Sequence, residues 1–193
     1  MVPMPSNKCS LSDEQQRYLL DLAWESIRYG LKHRMPMPVN MEGLAQELKS
    51  LRATFVTLQR QGQLRGCIGR LEAARPLVED IAGNAYAAAF QDPRFPALRD
   101  SELEGLEIHL SLLTPAEPMS FTSEQDLLDQ LQAGVDGVIL AEGSRRGTFL
   151  PSVWEQLPEP EQFLQHLKLK AGLPGAYWSN SIKAYRYRTE VVK

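Results

Sequence analysis

Between Ala53 and Arg70 two short apolar segments flank the pair Gln61-Gly62, and this pattern restricts the fold more than any other part of the chain. The first segment carries Thr54, Phe55, Val56 and Thr57, β-branched and aromatic residues that favour extended backbone. Gln61-Gly62 then stands where a tight turn would reverse the chain, so a β-hairpin is predicted, with Leu64-Arg65-Gly66-Cys67-Ile68-Gly69 on its second strand. Side chains of a strand alternate between faces. Leu64, Gly66 and Ile68 are therefore expected on one side and Arg65, Cys67 and Gly69 on the other, which sets a thiol beside a guanidinium. Gly66 and Gly69 flank that thiol, and glycine inside a strand marks a bulge or a close approach to the backbone.

The remaining elements follow from periodicity and punctuation. Ser12 with Gln15 three positions on forms a capping box, and Leu19, Leu20, Ala23, Trp24, Ile27 and Leu31 recur at helical spacing, predicting a helix from about Asp13 to Lys32. Pro36 and Pro38 cannot continue it, and Asn40 is expected to cap a short second helix with Leu44 and Leu48 inward. After the hairpin, Pro76 suits the first turn of a helix bearing Leu77, Ile81, Ala82, Ala85 and Ala89, which Pro93 stops. Leu106, Ile108, Leu110 and Leu112 alternate with polar residues as a half-buried strand does. Ser123 opens a further helix, and Val138–Leu140 and Thr148–Leu150 read as strands joined by a hairpin whose tip, Glu142 to Gly147, is basic. Helices are expected to start at Pro151 and Pro160, the second stopping at Gly172, and Ile182 to Val192 closes the chain as one strand. Strands and helices mix without strict βαβ alternation, so the expected class is α+β with a mainly antiparallel sheet and packed helices.

A chain of 193 residues can bury an ordinary core as one domain, or as a larger and a smaller lobe. The net charge of −3 gives no overall basic field, so nucleic acid is disfavoured as a partner. No apolar run approaches the ~20 residues of a membrane span, and the first residues lack the pattern of a signal peptide, so a cytoplasmic location is expected. Two cysteines make no disulfide framework, with Cys9 in an expected flexible leader over residues 1–11. His33, His109 and His166 share no ligand spacing with either cysteine, so no zinc site is expected from the sequence pattern, which leaves open one assembled in space; no cofactor is assigned.

The hexapeptide at 64–69, the preceding Phe55-Val56-Thr57-Leu58, the run Asp92-Pro93-Arg94-Phe95-Pro96, and the later stretches Gly147 to Pro151 and Lys170 to Pro174 occur in the order in which they stand in the AMMECR-one family, whose bacterial and archaeal members are labelled protein A of the AmmeMemoRadiSam system. The sequence resembles that family from about Ser12 to Val191. The resemblance implies an α+β domain over 12–193 with a larger and a smaller lobe. It also implies the company of a Memo-type protein, resembling non-haem iron dioxygenases, and of a radical S-adenosylmethionine protein. It brings no established activity with it.

Cys67 is the sharpest chemical candidate, because a cation such as Arg65 beside a thiol favours the thiolate nucleophile. The competing reading is a small apolar filler. His109, on the polar side of another strand, is a weak candidate for its base, since a strand histidine is more often a solvated surface group. Arg65, Arg70, Asp92 and Arg94 form a second constellation, with Gly66 and Gly69 beside it, provided that the Asp92–Pro96 loop folds over the hairpin. Such a cluster either clamps a carboxylate or phosphate through guanidinium forks or is an internal ion-pair network. Two functions follow: an enzyme or enzyme subunit that uses Cys67 to modify a small molecule or a protein, and a binding or regulatory module for a partner protein or nucleic acid.

Overall fold

A computed structural model describes residues 11–193; of the expected leader only Leu11 is among them, and Cys9 lies outside the described residues. The chain divides into two compact units, Met1–Leu113 with Glu190–Lys193, and Thr114–Thr189.

In the first unit Ser12 caps α1 (Asp13–His33): its Oγ accepts the Gln15 N–H at 3.2 Å while Gln15 Oε1 accepts the Ser12 N–H at 2.9 Å. Leu19, Ala23 and Ile27 of this helix are fully buried, and each large aliphatic side chain so buried contributes roughly 1.5–3 kcal/mol. The second helix, α2, is a single turn at Gln46–Lys49 with Leu48 buried. Its N-cap is Ala45, not Asn40; the Asn40 side chain accepts the Glu42 N–H and turns the chain earlier. The expected hairpin is β1 (Thr54–Arg60) and β2 (Gln63–Gly69), antiparallel, with Gln61 and Gly62 both at positive φ as its turn requires. Next come α3 (Leu77–Phe90), whose Ala82, Ala85, Ala88 and Ala89 are buried, and β3 (Leu106–Leu113). The sheet order is β2-β1-β3-β8, β8 being Thr189–Val192, so β2 is an edge strand. Helices α1 and α3 pack together on one face, sharing a core with Val56, Leu58, Ile108 and Leu110.

In the second unit β4 (Glu117–Pro118), β5 (Gly137–Glu142), β6 (Arg145–Phe149) and β7 (Lys183–Tyr187) form an antiparallel sheet in the order β4-β7-β5-β6. Two helices cover it, α4 (Glu124–Gln130), capped by the Ser123 hydroxyl, and α5 (Pro160–Lys170). Phe163 stacks on Trp154 at 3.7 Å inside this core. Lys168 is buried there, pairing with Glu124 and facing the Trp178 ring. Three expectations change. The β5–β6 tip is the two-residue turn Gly143-Ser144, which leaves Arg145 and Arg146 within the strand. Pro151 opens only a 3-10 turn to Glu155. The C-terminal strand is two strands, β7 in the second sheet and β8 (Thr189–Val192) in the first, because the Arg188 N–H leaves the ladder for the Thr114 hydroxyl. Among the described residues no helix is long and apolar enough to cross a membrane.

Candidate functional site

The hairpin register changes by one residue between Leu58 and Gln59. Gln59 pairs with Leu64, but Leu58 pairs with Gly66, so Arg65 is an extra residue on β2, a β-bulge. Continuing the turn's register would set Cys67 opposite Val56, which is fully buried in the core. The bulge sets it opposite Thr57 instead. A slip of one residue exchanges the two faces of a strand. Gly66 and Ile68 therefore face the helices while Cys67 and Gly69 face outward with Thr57 and Phe55. The expected alternation fails at Leu64, which pairs with Gln59 and is exposed.

Glycine is needed at 66 and 69 for different neighbours. A Cβ on Gly66 would stand 2.1 Å from the Ala88 carbonyl oxygen of α3, and one on Gly69 would stand 2.3 Å from the Phe55 ring and 2.4 Å from the Thr54 carbonyl oxygen. Gly66 thus lets the helix lie directly on the strand.

Both backbone groups of Cys67 are turned to the open edge of the sheet, where the loop after α3 receives them. The Asp92 carboxylate accepts the Cys67 N–H at 2.9 Å, and the Arg94 guanidinium donates to the Cys67 carbonyl at 3.2 Å. Arg94 and Asp92 are joined by a fork, Nε to Oδ1 at 2.9 Å and Nη2 to Oδ2 at 2.7 Å. Two side chains thus take the place of a neighbouring strand and close the edge. The Asp92 side chain is only 2% exposed and that of Arg94 54%. The Arg94 guanidinium, and after it the N–H groups of Cys67 and Arg94, hold the Asp92 carboxyl far below the usual carboxylate range against the effect of burial. Asp92 in turn raises the Arg94 pKa, and Cys67 adds to that rise.

A residue with both backbone groups directed to the edge forms a non-hydrogen-bonded pair with its neighbour across the ladder, the kind in which side chains stand closest. Accordingly Cys67 Sγ lies 3.2 Å from Thr57 Oγ1. Thr57 is also the β-partner of His109 on β3, so Cys67, Thr57 and His109 form one row across three strands on the outer face. Each of the three is half-buried, and His109 Nε2 is 3.9 Å from Glu107 Oε2.

Arg65, expected beside the thiol, is committed elsewhere. It forks onto Glu102, Nε to Oε1 at 2.8 Å and Nη2 to Oε2 at 3.1 Å, and donates to the Pro96 carbonyl at 2.9 Å, while its Nη1 is buried without a partner. This contact pushes Glu102 down to about 2. Arg70 lies apart from Asp92 and Arg94, its Nε 3.9 Å from Asp80 Oδ1. Asp80 is buried, accepts the Thr54 N–H, the Thr54 hydroxyl and the Asn84 amide, and has its pKa raised by burial, which the two Thr54 bonds and the charges of Arg70 and Arg75 oppose. The structure thus brings Cys67, Asp92 and Arg94 together, adds His109 through Thr57, and sets Arg65 against the same loop, over the Phe95 ring that Arg94 also faces, with its charge committed to Glu102; Arg70 pairs with Asp80 instead. Among the described residues no group of three or more His, Cys, Asp or Glu side chains is arranged to hold a metal ion.

Sequence reading missed Thr57, Glu102 and Asp80. Thr57 becomes visible only through the bulge. The spacing of Arg99 and Glu102, which turns the chain before β3 through the Glu102 carboxylate at the Arg99 N–H, was the available signal for Glu102.

A profile of the AMMECR1 family matches residues 20–192. A protein of Methanothermobacter thermautotrophicus is 34% identical over 183 residues, covering 94% of this chain and 95% of its own. One from Thermotoga maritima is 41% identical over 155 residues, 79% of this chain and 84% of its own. The crystal structure of an uncharacterized protein from Pyrococcus horikoshii superposes with a TM-score of 0.80 at 32% identity, over 94% of this chain and 92% of that one.

Proposed function

The chain belongs to the AMMECR1 family, and on that premise we propose that it is an enzyme or an enzyme's subunit that modifies a small molecule or a protein side chain through Cys67. The observation that carries this reading is the row of Cys67, Thr57 and His109 on the sheet face turned away from the helices, with the sulfur 3.2 Å from the threonine hydroxyl. A thiol serving only as filler would gain most on the other face, among Val56, Leu58 and Ile68. In the proposed step the sulfur attacks an electrophilic carbon, and the new S–C bond forms as the leaving group departs with its bonding pair. The thiol proton passes through the Thr57 hydroxyl to His109, which returns it to the leaving group. Arg94, paired with Asp92, fixes the strand at the Cys67 carbonyl, and Arg65, held by Glu102, positions the loop through the Pro96 carbonyl. The Memo-type protein and the radical S-adenosylmethionine protein are the proposed partners, in the cytoplasm, on the strength of the family context alone.

The test is labelling by iodoacetamide in a full-length chain carrying Cys9→Ser. Thr57→Val and His109→Asn are each expected to slow modification of Cys67 at least five-fold with the fold intact. Unchanged rates in both would overturn the relay. One observation favours a second reading, a non-catalytic module for a partner protein or nucleic acid: Asp92, Arg94 and Arg65 all spend their charge inside the chain. That reading predicts partner capture unaltered by Cys67→Ala, and its nucleic-acid form predicts salt-dependent binding to DNA or RNA.

A further inference from the structure

The C-terminal ends of α1 and α3 meet where Tyr86 donates from its hydroxyl to the Arg34 carbonyl at 3.1 Å, and the segment from Pro96 to Asp100 runs past them. Together they enclose a cleft of about 800 Å³, within the range of cavities that hold small molecules. Its wall includes the rings of Tyr86 and Phe90, 5.0 Å apart, and these reach α1 only because residue 30 is glycine: a Cβ there would be 2.5 Å from Phe90 and 2.8 Å from Tyr86.

Four cations line the same cleft, Arg28, Lys32, Arg34 and Arg99, against the single carboxylate of Asp100. None of the four forms an ion pair among the described residues. This concentration runs against a chain whose net charge is −3, and Arg28 and Lys32 stand one helical turn apart, where like charges repel. At the two helix ends, three carbonyls accept backbone N–H groups, Gly30 that of Arg34, Ala87 that of Gln91 and Ala89 that of Leu98, and the four cations outweigh the remaining negative ends of the helix dipoles. Guanidinium groups match phosphate oxygens in pairs, and aromatic rings offer a face to a planar group.

From this we infer that the cleft binds a phosphate ester carrying a planar ring, a ligand of nucleotide type, at a site separate from Cys67. The phosphates meet Arg28, Lys32, Arg34 and Arg99, and the ring lies against Tyr86 and Phe90. The site does not depend on whether Cys67 is a nucleophile.

Isothermal titration of the full-length protein with ATP, and with inorganic tripolyphosphate at the same ionic strength, tests the inference. Arg34 has φ 57°, a left-handed conformation glycine adopts more readily, so Arg34→Gly removes a charge while keeping the helix end. Arg99→Gln removes another without touching either helix. The expected result is saturable one-site binding of ATP, at least ten-fold tighter than tripolyphosphate and weakened at least five-fold in each variant, with melting curves unchanged. No saturable binding, equal affinity for tripolyphosphate, or ATP affinity unchanged in both variants would overturn it.

Discussion

Each unit ends a hairpin on an edge strand whose glycine lies against a helix backbone. Gly66 of β2 meets Ala88 of α3, and Gly147 of β6 meets Ala171 just beyond α5, where a Cβ would stand 2.8 Å from the Ala171 nitrogen. The shared device is packing, so the glycines in these two stretches need no chemical explanation. What differs is the remainder of the strand. β2 carries a bulge, an outward thiol with a hydroxyl partner, and a carboxylate–guanidinium clasp over its edge, whereas β6 keeps an unbroken register and presents Arg145 and Arg146 near its turn. Function is therefore sought in what β2 has in addition.

That comparison breaks first at the glycines. Gly66→Ala is expected to cost about 3 kcal/mol and Gly147→Ala about 2 kcal/mol, since backbone stands in the way at both positions and more closely at the first. Urea unfolding followed by fluorescence measures both, and tolerance of either substitution would remove the common device. Next, Asp92→Ala should cost about 2 kcal/mol by leaving the Cys67 N–H and Arg94 without their acceptor.

Acid sharpens the contrast further. Glu102 has a folded pKa of about 2 against an ordinary 4.5, so its contribution is present above pH 4.5 and is lost as the pH falls toward 2. Asp92 acts with the same sign; Asp80, whose pKa is raised, acts with the opposite sign and gains as the pH falls. In urea midpoints measured between pH 5 and 2.5, Glu102→Gln is expected to lose less stability than the parent chain, by under about 1 kcal/mol because this pair is partly solvated. Equal slopes would contradict the pairing with Arg65. The smallest effect is expected for Cys67→Ala, under about 1 kcal/mol, since the half-buried side chain stands outside the core. A loss of several kcal/mol would return Cys67 to a packing role.

Much of this was legible in the residues. The hairpin turn at Gln61-Gly62, the Ser12 capping box and the alternation of Leu106 to Leu112 are local signals, and each appears where its chemistry demands. The site was half legible. That Cys67 belongs to a strand, and that Asp92 and Arg94 belong to a loop pinned by prolines, followed from local pattern and resemblance; that the loop closes on Cys67 is seen only in the fold. The bulge at Arg65 did not, because it arises from a long-range competition: Gly66 must lie under Ala88, and the ladder yields one residue to allow it. The same shift exposes Leu64 and commits Arg65 to Glu102. The split of the C-terminal strand was hidden for a similar reason, since an extended run carries no mark of which sheet each half will join.

The central proposal is that the bulge, by turning the Cys67 side chain to the sheet face away from the helices beside Thr57, lets neighbours assist its reaction. The most direct measurement is the rate of iodoacetamide modification of Cys67 at pH 7 in the native Cys9→Ser chain, set against the rate for the same thiol in the urea-unfolded chain. A native rate above the unfolded one is predicted. A native rate far below it would mean that the thiol is sealed by packing, and would contradict the account.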